Sequence, residues 1–109
     1  MDKIQVAVIL GSDSDVELGK AAIKSLKNFD IDCELKVISA HRSPDVLIEY
    51  LKTSKERGCK IYIAIAGMAA HLAGAVAANS TAPVLGVPSE NSSLNGLDAI
   101  LSTLQMPSG

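Results

Sequence analysis

The stretch IQVAVILGSDSD, residues 4–15, decides the fold. Its first seven residues are almost entirely apolar and partly β-branched, which is typical of a strand buried on both faces of a parallel sheet. A polar loop follows, in which Asp13, Ser14 or Asp15 can cap the helix predicted to begin there. A strand, a polar loop and a capped helix therefore form the first unit of the chain.

The same unit recurs to the end of the sequence. Of the predicted helices, the second has the clearest boundaries, with Ser43 as N-cap, Pro44 at the first helical position and Gly58 at the end. This alternation predicts a single α/β domain over residues 1–109, in which right-handed crossovers connect parallel strands. The predicted strands are residues 4–10, 33–39, 60–66 and 83–87, and the predicted helices are residues 15–29, 44–57, 71–79 and 95–104.

The overall composition excludes several classes of function. Hydrophobic residues make up 48% of the 109 residues and charged residues 20%, so the chain is not disordered. A net charge of -2 and the lack of Trp argue against a nucleic-acid partner, because phosphate backbones need basic faces and bases need aromatic platforms. Any anionic ligand is therefore expected to be small and held locally.

Cysteine usage and hydropathy indicate in which cellular compartment the protein is expected. Cys33 and Cys59 have no metal-ligand spacing, so two reduced, buried thiols are expected and no metal site. No apolar run approaches the ~18 residues of a membrane span, and no signal peptide opens the chain. A soluble, cytoplasmic protein is expected.

Polar residues follow each predicted strand, and both histidines of the chain, His41 and His71, are among them. Parallel strands bring these loops to the carboxyl edge of the sheet, where open α/β folds bind ligands. The four loops are Gly11–Asp15, Ala40–Pro44, Gly67–His71 and Pro88–Ser93.

Taken singly, each loop also has a structural reading. Ser12 and Ser14 at a helix N-terminus either hold a phosphate or form a capped turn, and Asp15 suits sugar hydroxyls better than phosphate. Arg42 beside a helix start can capture an anion in bidentate fashion, and His41 can exchange protons near neutral pH. Together the loops predict a pocket for a small phosphorylated, sugar-like ligand.

The second loop also has a structural reading, as a solvated turn with a helix cap. For His71, which enters an Ala-rich helix, a structural role and a functional role are both open.

Five stretches resemble the N5-carboxyaminoimidazole ribonucleotide mutase family of de novo purine biosynthesis. They are VAVILGSDSD (6–15), VISAHRSPD (37–45), AGMAAHLAG (66–74), PVLGVP (83–88) and LNGLDAILSTLQMPSG (94–109). The resemblance implies a flavodoxin-like, three-layer αβα sandwich that assembles into an octamer. It also implies a reaction without metal, biotin or any other cofactor, in which a carboxylate moves from the exocyclic nitrogen of a ribonucleotide to carbon 4 of its imidazole.

The resemblance also implies roles for residues of the loops. His41 would be the general acid/base, and His71 would lie near the migrating carboxylate. Ser12 and Asp15 would contact the substrate. The remaining implied binding residues are Ser14, Ser39 and Arg42 at the phosphate and ribose end, with Ala40, Gly67, Ala69 and Ala70.

Two residues depart from the usual mutase pattern, Met68 in place of Gly and Ala73 in place of Pro. A direct, CO2-dependent carboxylase of aminoimidazole ribonucleotide is therefore an alternative. Another is a non-enzymatic flavodoxin-like module that holds a phosphorylated ligand, although the scarcity of aromatic residues disfavours FMN. Family members continue past MPSG with another strand and helices, so the chain is expected to be truncated at its C-terminus relative to the family.

Overall fold

The computed structural model describes residues 2–107, in which four strands alternate with four α-helices. The strands are β1 (Val6–Leu10), β2 (Cys33–Val37), β3 (Ile61–Ala66) and β4 (Val84–Pro88). The helices are α1 (Val16–Asn28), α2 (Pro44–Glu56), α3 (Leu72–Ala78) and α4 (Leu97–Leu104).

The strands form one parallel sheet in the order β2-β1-β3-β4. At the start of β1, Val6 lies opposite Cys33 of β2 on one side and Ile61 of β3 on the other. Every residue of β1 is buried, as expected for a central strand with helices over both faces. The prediction of a flavodoxin-like α/β fold is confirmed.

Helices cover both faces of the sheet. On one face, Val8, Leu10 and Ile65 pack against the apolar side of α1. On the other, residues of α2 and α3 such as Leu47 and Leu72 join the larger core cluster. Gly19 permits the close approach of α1, because a Cβ there would lie 2.8 Å from Leu35 Cδ1.

The predicted elements all exist, but several boundaries were wrong. Helix α1 begins at Val16, because residues Asp13–Asp15 form a 3-10 turn of their own. The hydroxyl of Ser12 caps this turn by accepting from the N–H of Ser14, and Asp15, one of the three predicted caps, takes the N-cap position of α1 without a side-chain hydrogen bond. The prediction of two buried thiols holds for Cys59, whereas Cys33 is only partly buried.

Within residues 2–107, no helix has both the length and the apolar character needed to cross a membrane.

Candidate functional site

A cleft of about 130 Å³ lies at the carboxyl edge of the sheet. All four loops that follow the strands contribute to it, as the sequence predicted. The residues that line it are Gly11, Ser12, Ser14, Asp15, Ser39, Ala40, His41, Ala66, Gly67, Met68, Ala69, His71, Leu72 and Asn91.

The first loop supplies hydroxyl groups beside a helical N-terminus. Ser12 Oγ accepts from the backbone N–H of Ser14 at 3.2 Å and from Ser14 Oγ at 3.0 Å. Both serines are exposed, and the 3-10 turn leads directly into α1. This corner can therefore donate hydrogen bonds to a small anion from hydroxyl and backbone groups.

The second and third loops bring the two histidines together. The rings of His41 and His71 are stacked, with centroids 5.2 Å apart and planes inclined by 13°. His41 and His71 are 30 positions apart in sequence. They become neighbours because they follow β2 and β3, the two strands that flank β1 in the sheet. Two imidazoles at one cleft can give protons to a bound ligand and take protons from it.

Backbone hydrogen bonds hold these loops in place. The N–H of Arg42 donates to Ser39 Oγ at 3.1 Å, and the N–H of Ala70 donates to Ser102 Oγ of α4 at 2.8 Å. Neither Arg42 nor Ala70 lines the cleft: Ala70 is buried, whereas Arg42 is exposed beside it. The other nine predicted site residues all line it.

Sequence reasoning predicted that the fourth loop contributes to the pocket but singled out none of its residues. Asn91 lines the cleft and donates from Nδ2 to Asp15 Oδ1 and to the carbonyl of Ser14, each at 2.9 Å. Asp15 itself is only 2% exposed. The position of Asn91 after the fourth strand was a signal, but its partners lie 76 and 77 residues away in sequence and follow no local pattern.

The position of the cleft within the sheet defines a class. All strands are parallel, but successive strands are added on opposite sides of β1, with β2 on one side and β3 on the other, and the cleft lies outside the carboxyl ends of these strands. Ligands bind at this switch point in open, doubly wound α/β proteins. The chain is therefore an open α/β protein with a cleft at the switch point.

Comparison with known proteins specifies the family. The family model described as AIR carboxylase matches residues 5–109. The chain belongs to the AIR carboxylase family.

Individual relatives agree with this assignment. N5-carboxyaminoimidazole ribonucleotide mutase from Pyrococcus abyssi is 53% identical over 105 residues, which cover 96% of this chain and 60% of that protein. The mutase of the same name from Thermotoga maritima is 50% identical over 105 residues and is covered to 61%. The crystal structure of Treponema denticola PurE superposes with a TM-score of 0.87 at 32% identity, covering 96% of this chain and 66% of that one. The chain thus spans about three fifths of the length of these curated relatives.

Proposed function

We propose that this chain carries the site of an N5-carboxyaminoimidazole ribonucleotide mutase, which moves a carboxylate from the exocyclic nitrogen to carbon 4 of the imidazole. The observation that carries the proposal is the stacked pair of His41 and His71 in a cleft lined by serine hydroxyls. Curated relatives of that name, which are 53% and 50% identical in sequence to this chain, support the proposal.

The proposed chemistry needs one proton donor that later acts as acceptor. Protonation of the exocyclic nitrogen by His41 breaks the N–C bond and releases CO2 within the cleft. Carbon 4 of the electron-rich aminoimidazole then attacks CO2, and the proton displaced from carbon 4 returns to the imidazole. A CO2 molecule held beside carbon 4 reacts at high effective concentration, which removes the need for an activating group.

The neighbouring loops suit the rest of the nucleotide. In this proposal, the hydroxyls of Ser12, Ser14 and Ser39 and the guanidinium of Arg42 hold the phosphate and ribose end, while Asp15 accepts from a sugar hydroxyl. The backbones of Ala40, Gly67 and Ala69 shape the cleft around the imidazole. His71 lies against His41 and faces the migrating carboxylate.

The family model favours one competing activity, because its description names a carboxylase. In that reaction, aminoimidazole ribonucleotide and CO2 combine directly at carbon 4. Product analysis separates the two. We expect the protein to form the 4-carboxylated nucleotide from the N5-carboxylated substrate and to form little from aminoimidazole ribonucleotide with bicarbonate. The reverse preference would establish the carboxylase, and no product from either would refute both.

A variant tests the role of His41 within this function. His41→Asn keeps a hydrogen-bonding group of similar size but removes the proton-transfer group. Turnover is expected to fall about 10²-fold or more, with nucleotide binding retained. Near-normal turnover by the variant would show that another group moves the proton.

A further inference from the structure

We propose that Asn91 is a positioning residue, which holds the carboxylate of Asp15 in the orientation that accepts a hydroxyl of the ligand. The inference rests on the proposed function for the identity of that ligand. It concerns the fourth loop, in which neither the family resemblance nor the sequence pattern assigned a role to a particular residue.

The hydrogen bonds of Asn91 fix its own orientation. The carbonyl of Ser14 and the carboxylate of Asp15 can only accept, so the amide nitrogen of Asn91 must face both of them. Its two N–H groups are then both used. One amide therefore ties the fourth loop to the first loop at two points.

Asp15 depends on this contact. It is 2% exposed, yet it lines the cleft. Within residues 2–107, no side chain other than Asn91 donates to its carboxylate, and no lysine or arginine lies within 4 Å of it. Asn91 engages Oδ1, which leaves Oδ2 to accept from a ligand.

Packing beneath the cleft holds Asn91 in place. The N–H of Ser89 donates to the carbonyl of Ala66 at 2.9 Å, which continues the β3–β4 pairing into the loops. A Cβ on Gly67 would lie 2.6 Å from Ser89 Oγ and 3.5 Å from the carbonyl oxygen of Asn91. The third and fourth loops therefore fit closely together, and the backbone of Asn91 is fixed relative to the third loop.

The burial of the Ser89 hydroxyl also indicates that the fourth loop packs closely under the third. Its Oγ has no hydrogen-bond partner within residues 2–107, although the residue is only 1% exposed. A buried hydroxyl without a hydrogen-bond partner lowers the stability of the fold. Close packing of the loop under Gly67 accounts for its position, and that packing carries Asn91 to the cleft.

Two variants of Asn91 test the proposal by steady-state kinetics. Asn91→Ala removes the donor, and we expect KM to rise about 10- to 100-fold with kcat within about 3-fold, as for loss of a hydrogen bond to a charged group that orients a binding residue. Asn91→Asp keeps the shape but sets a second carboxylate against Asp15, so KM is expected to rise further. Ser93→Ala is the matched control, because Ser93 is exposed in the same loop and outside the cleft, and it should leave both constants unchanged.

A double-mutant cycle shows whether Asn91 acts through Asp15. In an Asp15→Ala background, Asn91→Ala should have almost no further effect on KM, since the group that it positions is gone. Equal effects of Asn91→Ala in both backgrounds, or a wild-type KM in the single variant, would overturn the proposal. Thermal melting of each variant shows whether a change in KM reflects a loss of folding.

A failure of the proposed function would look different. In that case the unaltered protein turns over neither substrate, and crystal structures of the protein and of Asn91→Ala decide the matter. The Asp15 carboxylate is expected to turn away from its original orientation in the variant. An unmoved carboxylate would overturn the positioning role independently of any activity.

Discussion

Arg42 is an exposed cation at the edge of the cleft, fixed through its backbone hydrogen bond to Ser39 Oγ. Within the described residues, no carboxylate lies within 4 Å of its guanidinium, so the group is free to bind a phosphate. Such a charged, bidentate contact contributes roughly 1.5–3 kcal/mol. We expect Arg42→Ala to weaken nucleotide binding by that amount and Arg42→Lys to restore it only in part.

Calorimetric titration with the nucleotide and with its nucleoside checks this assignment. The preference for the nucleotide should shrink in Arg42→Ala and persist in the control Lys52→Ala, an exposed residue on α2. If the unaltered protein bound the nucleoside as tightly as the nucleotide, Arg42 would not be a phosphate ligand.

Met68 occupies a backbone conformation that suits glycine. Its φ of 56° lies in the left-handed region, which costs a non-glycine residue about 1–2 kcal/mol, while its side chain is 64% exposed and recovers little by burial. We expect Met68→Gly to stabilise the fold by up to about 1 kcal/mol, since the greater chain entropy of glycine offsets part of the gain.

Denaturant unfolding of Met68→Gly beside Ala69→Gly tests this expectation. Ala69 is the next residue and has no positive φ, so the same substitution there should lower the unfolding free energy by about 0.5–1 kcal/mol. A destabilised Met68→Gly would mean that the Met68 side chain contributes contacts that outweigh the backbone cost.

At the scale of elements, an ion pair joins β2 to the end of α2. Arg57 donates from Nη1 and Nη2 to the two carboxylate oxygens of Glu34, each at 2.8 Å, and the hydroxyl of Tyr50 also donates to Glu34. The hydrogen bonds from Arg57 lower the pKa of Glu34 below its ordinary 4.5, although burial opposes them. Burial and the Glu34 contact raise the pKa of Tyr50.

The lowered pKa of Glu34 predicts a pH-dependent contribution to stability. A carboxyl whose pKa is lower in the folded state stabilises the fold above its unfolded pKa, and the stabilisation is lost as the pH falls through the folded pKa. Glu34→Gln is therefore expected to melt at lower temperature than the unaltered protein at pH 7. The difference should begin to close as the pH falls below about 4.3, the ordinary pKa of an unfolded Glu, and should vanish only below the lowered pKa of the folded state, where Glu34 is protonated in both states.

Glu17→Gln is the matched control in the same melting series. Glu17 pairs with Lys20 at 3.8 Å across one helical turn, but both side chains are exposed, at 90% and 65%, and such pairs contribute little. Its melting temperature should follow that of the unaltered protein at every pH. A difference for Glu34→Gln that persisted unchanged into acid would show that the pair does not act through the charge of Glu34.

The elements also show how far the sequence could predict this fold. The apolar runs around Val8 and Ile63 predict buried strands. Pro44 marks the start of α2 by its fixed φ, and Gly58 marks its end because glycine tolerates the positive φ of 96° there. The sequence did not predict the 3-10 turn before α1, which Ser12 caps because its extended backbone directs its hydroxyl at the N–H of Ser14, while Asp15 takes the N-cap position of α1. Such a turn depends on geometry that spacing does not encode.

The candidate site was predictable to the same degree. Strand alternation alone brought His41 and His71 to one edge, but their stacking depends on the order β2-β1-β3, which alternation leaves open. The contact of Asn91 with Asp15 joins loops far apart in sequence. The type of one residue does not predict contact with the other.

At the scale of the whole molecule, apolar surface remains uncovered beside β4. Helix α3 buries its largest side chains, Leu72 and Val76, in the core. Larger exposed side chains lie on β4 and α4, and an uncovered group of this kind favours association with a partner surface. The exposed apolar side chains on β4 and α4 include Leu85 at 55%, Leu97 at 57%, Leu101 at 44% and Leu104 at 70% exposure.

We therefore expect the 109-residue chain to self-associate, with a weight-average mass that rises with concentration in sedimentation. Leu85→Lys combined with Leu104→Glu should reduce the association. Phe29→Lys should not, because Phe29 is 78% exposed but lies at the end of α1. A monomer whose mass is independent of concentration would contradict this expectation, and with it the octamer that the family resemblance implied.

An isotope experiment tests the proposed carboxylate transfer most directly. The N5-carboxylated nucleotide, labelled with ¹³C in its carboxylate, is given to the protein in a large excess of unlabelled bicarbonate, and the 4-carboxylated product is analysed by mass spectrometry. If CO2 is released and recaptured within the cleft beside His41, most of the product should keep the label, and His41→Asn should form little product. A product whose label had fallen to the level of the surrounding bicarbonate would contradict transfer within the cleft.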